Sequence, residues 1–236
     1  MTSRFLFVLA LAPALLAAQP RPLRVVVMVD QTGSTTSTRV PQLQPSDFSG
    51  LLDQILQSGG EIGVAAIRDR SNRPLLRCRV EQKPERRAQP PAEKMNPFLR
   101  QRLTRAYLLE KSEEDQSEAA WLEQARKQIE VFREELRGLL DAPLAGRTDI
   151  HGAVLRADLF LAEPDAGWRQ PTRRYAIFHS DGIDNVRAPR PAMKSGATVL
   201  VVNGSASLGS FAALKPVPLE SFGAAVRYVH SRSQEE

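Results

Sequence analysis

Residues 25–34 read Val-Val-Val-Met-Val-Asp-Gln-Thr-Gly-Ser, an apolar run ending in an aspartate, with a threonine and then a serine at the next two alternate positions. Strands buried on both faces of a parallel sheet show this kind of uninterrupted apolar run. Ligands of open α/β sheets bind just beyond the carboxyl ends of such strands. Asp30, Thr32 and Ser34 therefore put one carboxylate and two hydroxyls where this class of fold does its work. All-oxygen donors of this type suit a hard cation, Mg²⁺ or a substitute such as Mn²⁺ or Ca²⁺.

Outward from that strand, strand and helix signals alternate, which predicts βαβ units and a doubly wound, mostly parallel central sheet flanked by helices. The first strand is read as Leu23–Val29, a helix as Phe48–Leu56 stopped by Ser58-Gly59-Gly60, and two further strands as Glu61–Ile67 and Pro74–Val80, paired as a hairpin. Residues 81–97 are charged and Pro-rich and read as a linker. Residues 98–110 look helical, Ser112-Glu113-Glu114-Asp115 reads as an interruption, and Ser117 as a new cap. Leu122, Ala125, Ile129, Phe132, Leu136 and Leu139 then recur at spacings of three and four and predict an amphipathic helix lying on the sheet. The 81–140 region is thus expected as a helical extension of the fold. Thr148 opens another helix, Arg174–His179 reads as a strand ending in Ser180-Asp181-Gly182, Ala197–Val202 as a further strand, and Leu219–Val229 as a last helix.

With 236 residues, 42% of them apolar and 25% charged, the chain has the composition of an ordinary globular protein with room for a full core. Residues 5–18 are apolar, follow Arg4 and end in small residues, the layout of a secretory signal peptide. The expected organisation is a signal at 1–18, one domain over 19–230 and a frayed tail at 231–236, in an exported protein, periplasmic or secreted. The apolar run is too short for a stable membrane span. Cys78 is then the one cysteine, read as a small core residue, so export brings no intramolecular disulfide. His151, His179 and His230 are too scattered for a zinc site, and His179 reads as a structural residue within a strand.

Losing Arg4 with the signal lowers the formal charge from +5 to +4. Residues 68–105 hold twelve Arg/Lys against four Asp/Glu, and 106–141 hold five against ten. Adjacent blocks of opposite sign neutralise one another, and no aromatic residues interleave with the basic run, so nucleic acid is not the expected partner.

Three oxygen-rich loops stand in order along the chain: Asp30-x-Thr32-x-Ser34, Thr148 in Gly146-Arg147-Thr148, and Asp181 in Ser180-Asp181-Gly182. This set resembles the von Willebrand factor type A (vWA) domain family, whose Asp-x-Ser-x-Ser loop, distant threonine and late aspartate form a metal-ion-dependent adhesion site. The resemblance runs from about Leu23 to His230 and differs in Thr32, where the family usually has serine, and in the long 81–140 stretch. It implies a divalent cation at Asp30, Thr32, Ser34, Thr148 and Asp181, and a protein or other macromolecular partner supplying an acidic group. In sites of this family the hydroxyls touch the metal while the aspartates act directly or through water, so few negative charges contact the cation, which favours recognition of an outside carboxylate over bond breaking.

Two enzyme readings stand beside it. A haloacid-dehalogenase-like phosphatase also uses an aspartate after the first strand, with Asp181 and Asp184 as a late acidic pair. Its second aspartate is replaced here by Thr32, and its lysine before the late loop is missing. A Ser/His/Asp hydrolase lacks its nucleophile elbow, since Gly204-Ser205-Ala206-Ser207-Leu208-Gly209 has the wrong spacing. A vWA-like interaction module with a degenerate metal site is the remaining alternative.

Overall fold

A computed structural model describes residues 20–37, 40–71, 73–186, 191–203 and 208–232. The expected signal at 1–18 lies outside the described residues, as do residues 204–207 and the end of the tail. The apolar run becomes β1 (Leu23–Asp30), buried along its whole length. It is followed by a short helix α1 (Gly33–Ser37), a 3₁₀ turn (Pro45–Phe48), α2 (Ser49–Ser58), β2 (Gly60–Ile67) and β3 (Leu76–Val80). After the linker come α3 (Pro97–Leu140), α4 (Ile150–Leu161), β4 (Arg173–His179), β5 (Thr198–Val202), a second 3₁₀ turn (Gly209–Leu214), β6 (Val217–Leu219) and α5 (Phe222–Ser231).

Among the described residues six strands form one sheet in the order β3-β2-β1-β4-β5-β6. Only β3 runs antiparallel, paired with β2 as the hairpin reading requires; every other neighbour is parallel. This is the doubly wound α/β class. Because a strand alternates its faces, Val25, Val27 and Val29 join a core under α2, α3 and α5, while Val26 and Met28 join a second core under α4. Burial on both faces explains why β1 reads as an unbroken apolar run.

Two boundaries differ from the sequence reading. The expected break at Ser112–Asp115 does not occur, and α3 runs through it as one helix of 44 residues. No Gly or Pro stands there to stop it, Ser and Asp cost only tenths of a kcal/mol in a helix, and Lys111 pairs with Asp115 one turn on at 2.9 Å. The last helix, expected from Leu219, begins at Phe222, capped by the Ser221 hydroxyl, and Leu219 instead ends the edge strand β6. Pro218 fits such an edge, where a missing N–H faces no neighbour. The 81–97 segment has no regular structure but is held: Glu118 of α3 pairs with Lys83 and Arg86 at 2.6 and 2.8 Å, and the Trp121 indole N–H donates to the Glu81 carbonyl.

Candidate metal site

Sheet order reverses between β1 and β4: from β1 the chain proceeds to β2 on one side and later enters β4 on the other. The two strands leave a crevice at their carboxyl ends, the place where this class of sheet binds ligands. Asp30 ends β1, and Ser180 and Asp181 follow β4 directly. The first and third oxygen-rich loops are therefore neighbours by topology alone.

Thr148 is brought in by backbone stitching. The 145–149 loop runs beside the exit of β1, with the Ala145 N–H donating to the Gln31 carbonyl at 2.8 Å and the Gly33 N–H donating to the Ala145 carbonyl at 3.2 Å. Its far end is fixed by the Asp149 N–H on the Arg68 carbonyl at 2.8 Å. Asp149 caps α4 through the Gly152 N–H, so the cap and the site residue are adjacent but distinct.

The side chains meet at one hydroxyl. Thr32 Oγ1 donates to Asp30 Oδ1 at 2.6 Å, accepts from Thr148 Oγ1 at 3.0 Å, and lies 3.1 Å from Ser34 Oγ. Four of the five residues singled out in the sequence are thus one contiguous oxygen cluster. Asp181 is buried beside it; its Oδ1 accepts the Ile183 N–H at 2.9 Å, and its negative charge acts on Asp30. Burial pushes the Asp30 carboxyl up to about 6, hydrogen bonds from Ser180 and Thr32 hold it back, and the Asp181 charge adds to the rise. After burial, the influences on Asp30 are hydroxyls, a backbone amide and a second carboxylate, none of them cationic.

Two supporting residues escaped the sequence reading. Ser180 Oγ donates to Asp30 Oδ2 at 2.6 Å and so fixes the other carboxylate oxygen. Asn185 Oδ1 accepts the Thr148 N–H at 2.7 Å and sets the height of that loop. Neither carries a spacing signal; Ser180 is legible only once β1 and β4 are known to be neighbours. His179 lies at the end of β4, only 2% exposed, with Nε2 3.0 Å from the Asn203 amide. Asp184 does not join the cluster: its Oδ1 accepts the Val186 N–H, and its charged neighbours are Asp149 and His151.

Among the described residues no group of three or more His, Cys, Asp or Glu side chains gathers to hold a metal. The donors at this crevice are instead two carboxylates and three hydroxyls. That is a hard, all-oxygen set with few charges, which matches Mg²⁺ in chemistry and leaves positions for water. Beside Asp30 opens a cleft of about 250 Å³ lined by Val29, Leu43, Leu140, Pro143 and His179. Among the described residues no helix is long and apolar enough to cross a membrane.

No protein-family model matches the chain, and neither does any curated protein. Among solved structures it is similar to the pilus adhesin SpaC from Lactobacillus rhamnosus GG in its open conformation, at 9% identity and a TM-score of 0.44, over 91% of this chain and 30% of that one. It is also similar to proximal thread matrix protein 1 from the mussel byssus, at 15% identity and a TM-score of 0.41, over 89% of this chain and 47% of that one. The chain spans less than half the length of either.

Proposed function

We propose that this is an exported vWA-like binding protein that recognises an acidic group on a protein or other macromolecule through a divalent cation. Asp30, Thr32, Ser34, Thr148 and Asp181 would hold the ion, which supplies the Lewis acidity to capture an external carboxylate. The observation that carries the reading is the Thr32 hydroxyl, bonded at once to Asp30, two residues before it, and to Thr148, 116 residues after it. Two buried carboxylates and three hydroxyls crowd the sheet's switch point. Buried like charges without a cation cost stability, and a divalent ion removes that cost.

The chain's own residues divide the work. Ser180 orients Asp30, Asn185 positions Thr148, and the Ile183 amide orients Asp181. The cleft beside Asp30, lined by apolar and polar residues alike, gives a partner a surface to bury next to its acidic group. Nothing in the arrangement supplies a second acid two residues beyond Asp30, the group a phosphoaspartate mechanism needs for proton transfer; that position is Thr32.

Titration calorimetry with Mg²⁺ and Mn²⁺ tests the proposal. The wild-type protein is expected to bind, and Asp30→Ala and Asp181→Ala to lose at least about tenfold in affinity while remaining folded. Equal heats from all three proteins would overturn the assignment. Steady hydrolysis of a phosphate ester with Mg²⁺, abolished in Asp30→Ala, would replace it with the phosphatase reading.

A further inference from the structure

The first 28 residues of α3, Pro97 to Gln124, contain no buried residue. At ~1.5 Å per residue this is an arm about 42 Å long. It displays Phe98, Leu99, Leu103, Leu108 and Leu109 at 38–86% exposure. Most of a helix's stability in a protein comes from tertiary packing, and this stretch has little of it. Its charges do not help it either. Residues 97–109 carry Arg100, Arg102 and Arg105 and no acid, while 110–118 carry five acids and one lysine. Cations at a helix N-terminus oppose the macrodipole, so this order is the unfavourable one for a helix standing alone.

The exposed side chains Leu99, Arg102, Ala106, Leu109, Glu113, Gln116 and Ala120 recur at alternating spacings of three and four. They form one seam with the spacing that packs two helices side by side, four of its positions apolar and three polar. The 81–88 segment lies on a different side, over Glu114, Glu118 and Trp121, roughly a third of a turn away. Among the described residues nothing covers the seam.

We infer that the seam is the interface of an antiparallel pair of α3 arms from two copies of this chain. A two-fold axis between Tyr107 and Leu108 sets Arg102 opposite Glu113 of the second copy, Ala106 opposite Leu109, and Leu99 opposite Gln116. The basic turns of each arm then lie level with the acidic turns of the other, and each macrodipole runs against its partner's. A parallel pair would stack arginine on arginine. The polar Arg102–Glu113 layers fix the register, the role polar residues serve at such positions. A lipid surface fits less well, because Arg100 and Arg102 fall on opposite sides of the helix and leave no unbroken apolar face.

Sedimentation equilibrium of the purified protein tests this. The wild type is expected at twice the chain mass, and Arg102→Glu and Glu113→Arg each at the mass of one chain. An equimolar mixture of the two variants is expected to regain the doubled mass, because the reversed charges complement each other. A monomeric wild type up to its solubility limit would overturn the inference. So would a dimer indifferent to both reversals, a mixture that stays monomeric, or a monomer that floats with anionic vesicles through this helix.

Discussion

Thr32 is the residue on which the site turns, because its hydroxyl both donates to Asp30 and accepts from Thr148. Valine has nearly the same shape but no hydroxyl. Thr32→Val is expected to cost about 1–3 kcal/mol of stability by leaving a buried donor and acceptor unmatched. Its Mg²⁺ affinity should fall at least about tenfold. Thr32→Ser keeps the oxygen and should bind nearly as the wild type does. Calorimetry on the pair separates the hydroxyl from the shape of the side chain; equal affinity in the valine variant would remove Thr32 from the ligand set. Sequence spacing exposed this residue, since an aspartate, threonine and serine at alternate positions after an apolar strand is a local pattern. Ser180 was invisible in the same way that Thr32 was visible. Its role depends on a neighbour 150 residues away, and no local pattern reports that.

At the scale of elements, two glycines hold the Asp181 loop in place. Gly182 has φ +79° and Gly209 has φ +47°, and a Cβ on Gly209 would run into the Gly182 carbonyl. The Ser210 N–H donates to that same carbonyl at 3.1 Å. Gly209→Ala is therefore expected to lower stability by about 1–3 kcal/mol and to weaken cation binding by displacing Asp181. Gly196→Ala is the control: its φ is +70° but nothing lies within 4 Å, so backbone strain should appear without any change in affinity. Thermal midpoints and calorimetry on both variants decide the matter. If Gly209→Ala binds Mg²⁺ as tightly as Gly196→Ala, the loop does not set the site.

Helix α3 runs unbroken through Ser112–Asp115, where four polar residues carry no apolar periodicity and so read as a boundary in the sequence alone. What holds the linker there is a tertiary contact, Glu118 with Lys83 and Arg86. Glu118→Gln is expected to leave the thermal midpoint unchanged and to speed proteolysis between Glu81 and Lys94, read by mass spectrometry of the first fragments. Unchanged cleavage would show that the linker is held by other contacts.

Across the whole molecule, the end of the sheet opposite the site is closed by charge. Arg24, 1% exposed at the start of β1, lies against Glu61 and Asp165 and donates to the Glu163 carbonyl. Burial raises the Asp165 carboxyl, but hydrogen bonds from Thr172 and the Arg174 guanidinium outweigh it and hold the group below its ordinary 3.8. A carboxyl depressed in the folded state adds stability above its unfolded pKa, and that stability is lost as pH falls through the folded value. Urea unfolding should therefore show the wild-type midpoint falling as pH drops below about 3.8. Asp165→Asn should be less stable at neutral pH and flatter over that acid range. Parallel pH curves for the two proteins would rule out this linkage.

The sequence by itself determined the α/β class, the β2–β3 hairpin, the amphipathic second half of α3 and the three oxygen-rich loops, because each is written in local periodicity and turn chemistry. Tertiary structure alone decided the β3-β2-β1-β4-β5-β6 order, the contact of Thr148 with Thr32, and the exposure of the α3 arm. Those depend on which distant segments bury each other's apolar faces, and burial is a property of pairs of segments rather than of either one.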